Sequence, residues 1–416
     1  MAIHLRKILL LSLRGFGILG KFILTIVVTR NISVEFQGGV GLLNSTITIL
    51  VLIFGLDFYN YSNKQLVSSN KTPAFILKNN FLILLVAYLL LSPLLFIFFQ
   101  SYFKEGLNSN LNFWLFLFVI LFEHIGQEFF RFFIALGKSF TANILLFLRT
   151  GIWPICFSSY VMFTSNPVNL NTLLKFWLIF CLLNLIFSIL IFPTFRKIVE
   201  ERIDLNWIKK GLKVSGLMLM ATFCLKLLEY ADRYFLEYFY TLKDVGIYTF
   251  YFQIANIYNV IVFTLIISFV YPKIILVAKE GTLENIINEI VKNQKSTLLL
   301  FLLLNLLFIL VIPVLLNFMQ RPELEGNQWV LYGLLIGNLF LNLGYYYHYL
   351  LIGWDEERTI LKVTMLSTII SLLLNIILIK SIGILGAVFT QVLSNFLMFY
   401  LKRRAYAKKL SLNRFI

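Results

Sequence analysis

Runs of about 20 predominantly apolar residues recur along the whole of this 416-residue chain. A helix needs about 20 such residues to cross the hydrocarbon core of a bilayer. Charged residues make up only 13% of the chain, against roughly 25% in soluble domains. Together these features predict an all-α polytopic membrane protein.

The apolar runs predict about twelve transmembrane helices, separated by turns rich in Gly, Asn and Pro. The first run contains internal cations and no small-residue cleavage motif, which favours a retained helix over a signal peptide. The predicted ranges are 8–29, 38–58, 79–99, 112–136, 139–163, 172–193, 212–236, 247–271, 297–318, 329–351, 360–379 and 384–401.

The distribution of Lys and Arg predicts that both termini face the cytoplasm. The segments on the side of the N-terminus hold 23 of the 36 Lys and Arg residues, and the segments on the opposite side hold 6. Cytoplasmic loops carry this excess in membrane proteins, and an even number of helices returns the basic tail to the same side.

Several function classes are not expected. The net charge is +16, but most charges lie in short loops between apolar runs, so nucleic-acid binding is not predicted. The three cysteines and three histidines are scattered, which predicts no metal site. The chain lacks a P-loop, a GxGxxG motif and a nucleophile elbow. We therefore expect no cofactor, no catalytic residues and no enzymatic activity.

Two short alignments indicate an internal repeat. The segment Val40-Gly41-Leu42 aligns with Val245-Gly246-Ile247 at an offset of 205, and ALGKSFTANIL (135–145) aligns with LIGWDEERTIL (351–361) at an offset of 216. Each half has an even number of helices, so the halves are expected to insert the same way up, related by an axis along the membrane normal.

The repeat predicts three parts: an N-terminal lobe over 1–193, a cytoplasmic linker over 194–211, and a C-terminal lobe over 212–416 with a basic cytoplasmic tail. The linker and the charged loop over 272–296 are each predicted to form interfacial amphipathic helices.

Three stretches carry a resemblance to a known family. They are TRNISVEFQGGVGLLNS (29–45), FRFFIALGKSFTANILLFLRT (130–150) and EYADRYFLEYFYTLKDVGIYTFYFQIANI (229–257). The last, with Asp-Arg near the end of one helix and Val-Gly-Ile-Tyr opening the next, is the most specific. The chain resembles Wzx-type O-antigen flippases of the multidrug/oligosaccharidyl-lipid/polysaccharide (MOP) exporter superfamily.

The resemblance implies a MATE-like, V-shaped pair of six-helix lobes around a central cavity. The implied substrate is an undecaprenyl-pyrophosphate-linked oligosaccharide, moved from the cytoplasmic to the periplasmic leaflet by alternating access. The resemblance also implies coupling to an H⁺ or Na⁺ gradient, a place in the bacterial cytoplasmic (inner) membrane, and polysaccharide-assembly proteins as partners.

Four cations lie inside predicted helices, where a charge costs about 2.5–3.5 kcal/mol at the centre on the insertion scale. They are candidate anion-binding residues of the cavity: Arg14, Lys21, Arg149 and Lys226. Alternatives remain for three of them. Arg14 can snorkel to the cytoplasmic surface, Arg149 can pair with a carboxylate of the preceding helix, and Lys226 can pair with its neighbour three residues on. The offset of 205 maps Lys21 onto Lys226, which predicts that the two face each other between the lobes.

Four carboxylates in predicted helices are candidate ion-coupling sites or charge-pair partners of these cations. They are Glu123, Glu128, Glu229 and Asp232. Asp57 is expected at the cytoplasmic surface, and His348 with its neighbouring tyrosines is expected to be packing or interfacial. Two other functions are considered: a cation-coupled multidrug exporter of the same fold, and a polysaccharide polymerase. Cations inside the helices disfavour the exporter, and short outer loops disfavour the polymerase.

Overall fold

The computed structural model describes residues 2–68, 71–107, 110–192 and 197–413. Within these ranges, the side chains of residues 2–12, 14, 104–107, 280, 283 and 411–413 are outside the description. The described chain folds into long α-helices without a β-strand. The predicted all-α fold class is confirmed.

Each of the twelve predicted runs overlaps one long helix of the described chain, and three of them, 38–58, 112–136 and 172–193, extend past its ends by one to three residues. The helices are α1 (Ala2–Asn31), α2 (Val34–Gly55), α3 (Pro73–Phe99), α4 (Phe113–Ala135), α5 (Ser139–Phe163), α6 (Leu170–Ile191), α7 (Leu205–Phe239), α8 (Leu242–Glu280), α9 (Leu283–Met319), α10 (Trp329–Gly353), α11 (Glu357–Ile382) and α12 (Ile384–Asn413). Short helices add Tyr59–Ser68, Lys197–Glu200 and Pro322–Glu325, and π-helical segments extend α3 (Gln100–Leu107) and interrupt α5, α8 and α11.

Ten of these helices are long and apolar enough to cross a membrane when the described residues are considered, with α1 and α10 outside this set. Their outer faces carry exposed apolar side chains; on α9, for example, Leu302, Leu310 and Val314 are 64%, 65% and 70% exposed. Surfaces of this kind suit lipid, because a helix satisfies its own backbone hydrogen bonds there. The protein is a multi-pass membrane protein.

Polar side chains begin many of the helices. Ser33, Thr72, Asn112, Asn169 and Thr241 each accept a hydrogen bond from a backbone N–H group in the first turn of the helix that follows. These N–H groups have no partner within the helix, so a capping oxygen fixes where each helix starts.

Two predicted interfacial segments differ from the expectation. The segment 272–296 is not a lateral helix: α8 continues to Glu280, and α9 begins at Leu283 after a turn at Gly281 and Thr282. In the linker, α7 begins at Leu205 rather than 212. The backbone hydrogen bonds of a helix do not depend on apolar side chains. These helices therefore continue through charged residues instead of ending at them.

The repeat is visible in the backbone, with offsets that differ from the sequence alignment. Helices α1 and α7 end at Asn31 and Phe239, and the following helices have N-cap residues Ser33 and Thr241, so the offset is 208 at both points. The alignment offset of 205 is therefore displaced by about one helical turn.

The turn after the fourth helix of each half shows the same correction. It places a left-handed residue at Gly137 in the first half and at Asp355 in the second, which is an offset of 218 rather than 216. The backbone bonds match as well: Lys138 N–H donates to Phe133 at 2.9 Å, and Glu356 N–H donates to Leu351 at 2.9 Å.

The chain divides into two compact units, Met1–Phe223 and Cys224–Ile416. The N-terminal half of α7 therefore belongs to the first unit, where Trp207 packs edge-on against Phe58 and Phe75. In the second unit, α10 packs against α12 and α8.

Candidate charged sites within the helices

Lys21 lies two-thirds of the way along α1, ten residues before its end, on an exposed part of its surface. The adjacent face of α1 packs tightly on α5: a Cβ atom at Gly20 would lie 2.4 Å from the carbonyl oxygen of Gly151. Lys21 thus borders a helix contact that only glycine permits. The side chain of Arg14, one further candidate on this helix, lies outside the described residues.

Arg149 is buried in the first unit, where its side chain is 5% exposed. Its guanidinium Nη1 donates to Oε1 of Glu123 on α4. The other carboxylate oxygen, Oε2, accepts a bond from Trp177 Nε1 at 3.1 Å and from Cys181 Sγ at 3.4 Å, both on α6. The sequence leaves two alternatives for Arg149, a cation of the cavity or the partner of a carboxylate on the preceding helix. The structure places it in the ion pair and not at an open surface.

Two local features bring Arg149 to this position. It lies in the π-helical segment Leu148–Ile152, which widens α5 by one residue and rotates the side chains that follow. On α4, a Cβ atom at Gly126 would lie 2.8 Å from Cδ of Arg149, so the absent side chain makes room for the arginine. A small residue at a helix contact is how polar groups are accommodated between membrane helices.

Lys226 and Glu229 form a partly exposed pair on α7 in the second unit. The ammonium donates to the Glu229 carboxylate at 2.7 Å, and the two side chains are 28% and 37% exposed. The Lys226 ammonium also lies 5.2 Å from the ring centre of Tyr230. This pair matches the sequence-based alternative of self-neutralisation, yet it keeps both charges at a surface.

Asp232 and Arg233 are buried at 3% and 2% exposure. Asp232 accepts the hydroxyl of Tyr248, and its charge lies 3.9 Å from the Arg233 guanidinium. Arg233 also lies 4.2 Å from the ring centre of Phe252. Asp232 is therefore held inside the second unit, between α7 and α8, and anchors the C-terminal half of α7.

Glu128 belongs to a separate group in the first unit. It accepts a bond from Arg131 at 2.8 Å, one turn further along α4, and its carboxylate lies 3.9 Å from Nε2 of His124. The Arg131 guanidinium stacks 3.5 Å from the ring centre of Tyr59. His124 and Glu128 line a cavity of about 470 Å³, counted with the open space at its mouth.

Asp57 is the residue that the sequence analysis misplaced. It is 2% exposed rather than interfacial, because Leu56 and Asp57 both adopt left-handed backbone conformations and turn the chain inward after α2. The sequence gives only a weak signal for this turn. Asp is more common than most residues in left-handed conformations, but it is also common in ordinary turns.

The aromatic stretch on α10 is internal. Tyr346 contacts Thr297 through its hydroxyl at 2.6 Å and donates to the Asn293 carbonyl at 3.1 Å, while Tyr347 accepts a bond from Gln294 at 3.2 Å. These bonds connect α10 to α9 and agree with a packing role.

The corrected repeat offset changes which residue corresponds to Lys21. Counted back from the N-cap residues Ser33 and Thr241, Lys21 corresponds to Glu229 in the second half, with Lys226 one turn away. The proximity of Lys21 and Lys226 stays a prediction, since the two residues belong to different units.

No protein-family model matches the chain, and no curated protein matches it either. Solved structures do. An inward-facing multidrug resistance MATE family transporter of the MOP superfamily superposes with a TM-score of 0.74 at 12% identity, covering 94% of this chain and 95% of that one. The Vibrio cholerae MATE transporter VcmN superposes as a point mutant with a TM-score of 0.63 and in its bent form with 0.58; each is 15% identical and covers 98% of this chain and 96% of that one.

At these identities the similarity concerns the fold, which extends over almost the full length of both chains. The chain therefore has the fold of MATE-family transporters of the MOP superfamily.

Proposed function

We propose that the protein is a transporter that flips a lipid-linked oligosaccharide, carried on undecaprenyl pyrophosphate, from the cytoplasmic to the periplasmic leaflet of the bacterial inner membrane. The fold supports membrane transport, since its neighbours are transporters. The substrate class rests on the charges inside the helices.

The observation that carries the proposal is the exposed position of Lys21. It lies ten residues before the end of α1, which is about 15 Å along the helix axis and about half the thickness of a bilayer core. A lysine at this depth is costly, and such residues mark substrate or ion pathways. An ammonium group there suits an anionic substrate such as a pyrophosphate diester.

The Lys226–Glu229 pair is the matching feature of the second unit. Because both side chains are partly exposed, the lysine can exchange its carboxylate partner for a substrate phosphate without leaving a buried charge unpaired. Sugar groups then need polar contacts, while the prenyl tail remains in lipid. The flipping step forms and breaks no covalent bond.

A cation-coupled multidrug exporter is the second candidate. It is favoured by the multidrug transporter among the structural neighbours and by Glu229, which is more exposed than its lysine partner. The cationic Lys21 disfavours it, because a positive charge in the path repels cationic drugs.

The two functions are separated by deleting the gene in its source cell and analysing the lipids. A flippase predicts that undecaprenyl-pyrophosphate-linked oligosaccharide accumulates, and that the wild-type gene reverses this. Lys21→Ala and Lys226→Ala should restore less than about a tenth of the wild-type effect, while Lys175→Ala, an exposed lysine at the start of α6, restores it fully.

Protein levels in the membrane are measured for every variant. Normal lipid profiles in the deletion strain, together with loss of ethidium efflux, would refute the flippase and favour the exporter. Full restoration by both lysine variants would refute the role of these two side chains.

A further inference from the structure

Asp57 is a buried carboxylate with one oxygen left without a hydrogen bond. Oδ2 accepts bonds from Asn60 Nδ2 and from Thr222 Oγ1, each at 2.9 Å. Oδ1 is buried and has no hydrogen-bond partner in the described part of the chain. Leaving an anionic oxygen buried without a donor is expensive, and protonation lowers that cost because it removes the charge.

The charges around Asp57 do not balance its ionised form. Its titratable and charged neighbours are Tyr59 on the short helix that follows, and Glu128 and Arg131 on α4. Arg131 is already engaged by Glu128 at 2.8 Å. The lysines on the same half of α7, namely Lys209, Lys210 and Lys213, are exposed. Because Glu128 and Arg131 pair with each other, an ionised Asp57 would leave this group of side chains with one uncompensated negative charge.

We propose that Asp57 is a proton-binding site of the first unit, with the proton held on Oδ1. The neighbouring Glu128 and Arg131 form an ion pair whose charges cancel. The site rests on the transport function proposed above and names the residue through which protons regulate it. Burial raises the pKa of Asp57, which lies just beyond the end of α2, and the hydrogen bond from Thr222 and the charge of Arg131 partly oppose that rise.

A partly polar cavity in the first unit offers protons a route to this region. The cavity beside it is lined by His124, Glu128, Asn63 and Asn80, and Gly55, two residues before Asp57, forms part of its wall. Polar groups at these positions can hold water, and water carries protons between a surface and a buried acid.

Thr222 connects the site to the rest of the chain. It is the penultimate residue of the first unit, and α7 continues from it into the second unit. When Asp57 loses its proton, the carboxylate gains negative charge and draws donors toward it. The bond to Thr222 therefore responds to protonation at the point where the chain passes from one unit to the other.

The test measures protonation directly and needs no substrate, so it is independent of the flippase assay. The purified full-length protein is placed in lipid nanodiscs and titrated from pH 5 to pH 9 by infrared spectroscopy of the carboxyl C=O stretch. We expect a band of buried protonated carboxyl at pH 7 in the wild type, to which Asp57 contributes. Asp57→Asn should lack that contribution, and Glu35→Gln, an exposed carboxylate at the start of the preceding helix α2, should keep it.

A second variant keeps the acid and changes its environment. Thr222→Val removes a donor that favours the ionised form, so the titration midpoint should rise by about one pH unit. Gel-filtration profiles check that each variant remains folded. An identical band in wild type and Asp57→Asn, an unchanged midpoint in Thr222→Val, or a band that responds to Na⁺ in place of H⁺ would each overturn the proposal.

Discussion

Replacing Glu123 by Gln tests whether the buried charges of the first unit act as a pair. Glu123 is 13% exposed and Arg149 is 5% exposed, so neither charge is well solvated. The substitution preserves size and leaves one acceptor oxygen for Trp177, so the principal loss is the negative charge opposite Arg149.

Removing one partner of a buried ion pair costs about 3–5 kcal/mol, because the remaining charge stays buried and unpaired. We expect the lower end of that range, about 3 kcal/mol, since the carboxylate retains some exposure. In a unit the size of Met1–Phe223, each kcal/mol lowers the melting temperature by about 2–4 °C. The expected loss for Glu123→Gln is therefore about 6–12 °C.

The assay is a double-mutant cycle with Arg149→Met, Glu123→Gln and the combined variant, each purified in the same detergent and scored by temperature-dependent loss of the monodisperse peak. Removing both charges should restore most of the stability lost by either single variant, giving a coupling energy of about 2–3 kcal/mol. Lys175→Met, which removes an exposed cation, should melt like the wild type. Losses that simply add in the combined variant would refute the pairing, as would single variants that melt like the wild type.

Three further predictions concern stability. Gly20→Ala should cost about 1–3 kcal/mol because its Cβ meets the backbone of α5, while Gly15→Ala, with nothing within 4 Å, should be tolerated; thermal melting of both compares them directly. Tyr248→Phe should cost about 1–3 kcal/mol because it leaves a buried carboxylate without its hydroxyl donor, and the 79% exposed Tyr238→Phe is the control in the same melting experiment. The bond from Lys409 lowers the pKa of Glu356 below its ordinary value of 4.5, so this contact stabilises the protein above that pH and is lost below it; Glu356→Gln should lower the melting temperature slightly at pH 7 and not at pH 3.

The transmembrane helices were predictable because the bilayer imposes both their length and their composition. Their ends were less predictable where charged residues continue the helix. The segments preceding α7 and joining α8 to α9 are charged, and charge was interpreted as an interface, although the backbone continues as helix to Glu280 and from Leu205. Side-chain composition indicates whether lipid or water surrounds a helix. The backbone hydrogen bonds determine where the helix ends.

The charged residues could be found from the sequence because charges are rare inside apolar runs, but their partners could not. Glu123 and Arg149 lie on different helices, and their contact depends on a π-helical segment and on the space at Gly126. Asp57 was misplaced because a two-residue left-handed turn carries it inward. The rotation of a helix about its axis and the direction of the chain after a turn depend on packing between distant segments. Neighbouring residues in a single sequence do not show this packing.

Exposure divides the charges of the helices into two groups with different expected roles. Arg149, Glu123, Arg233 and Asp232 are largely buried, and each has a charged neighbour. Glu123, Asp232 and Arg233 each have a second contact that orients them. Changing one of them should alter stability before it alters transport, because the other member is then stranded in a medium of low dielectric constant. Lys21 and the Lys226–Glu229 pair lie at surfaces, where a charge can change partners at low cost. A substrate anion needs cations of the second kind, so transport defects without loss of folding should map to Lys21 and Lys226.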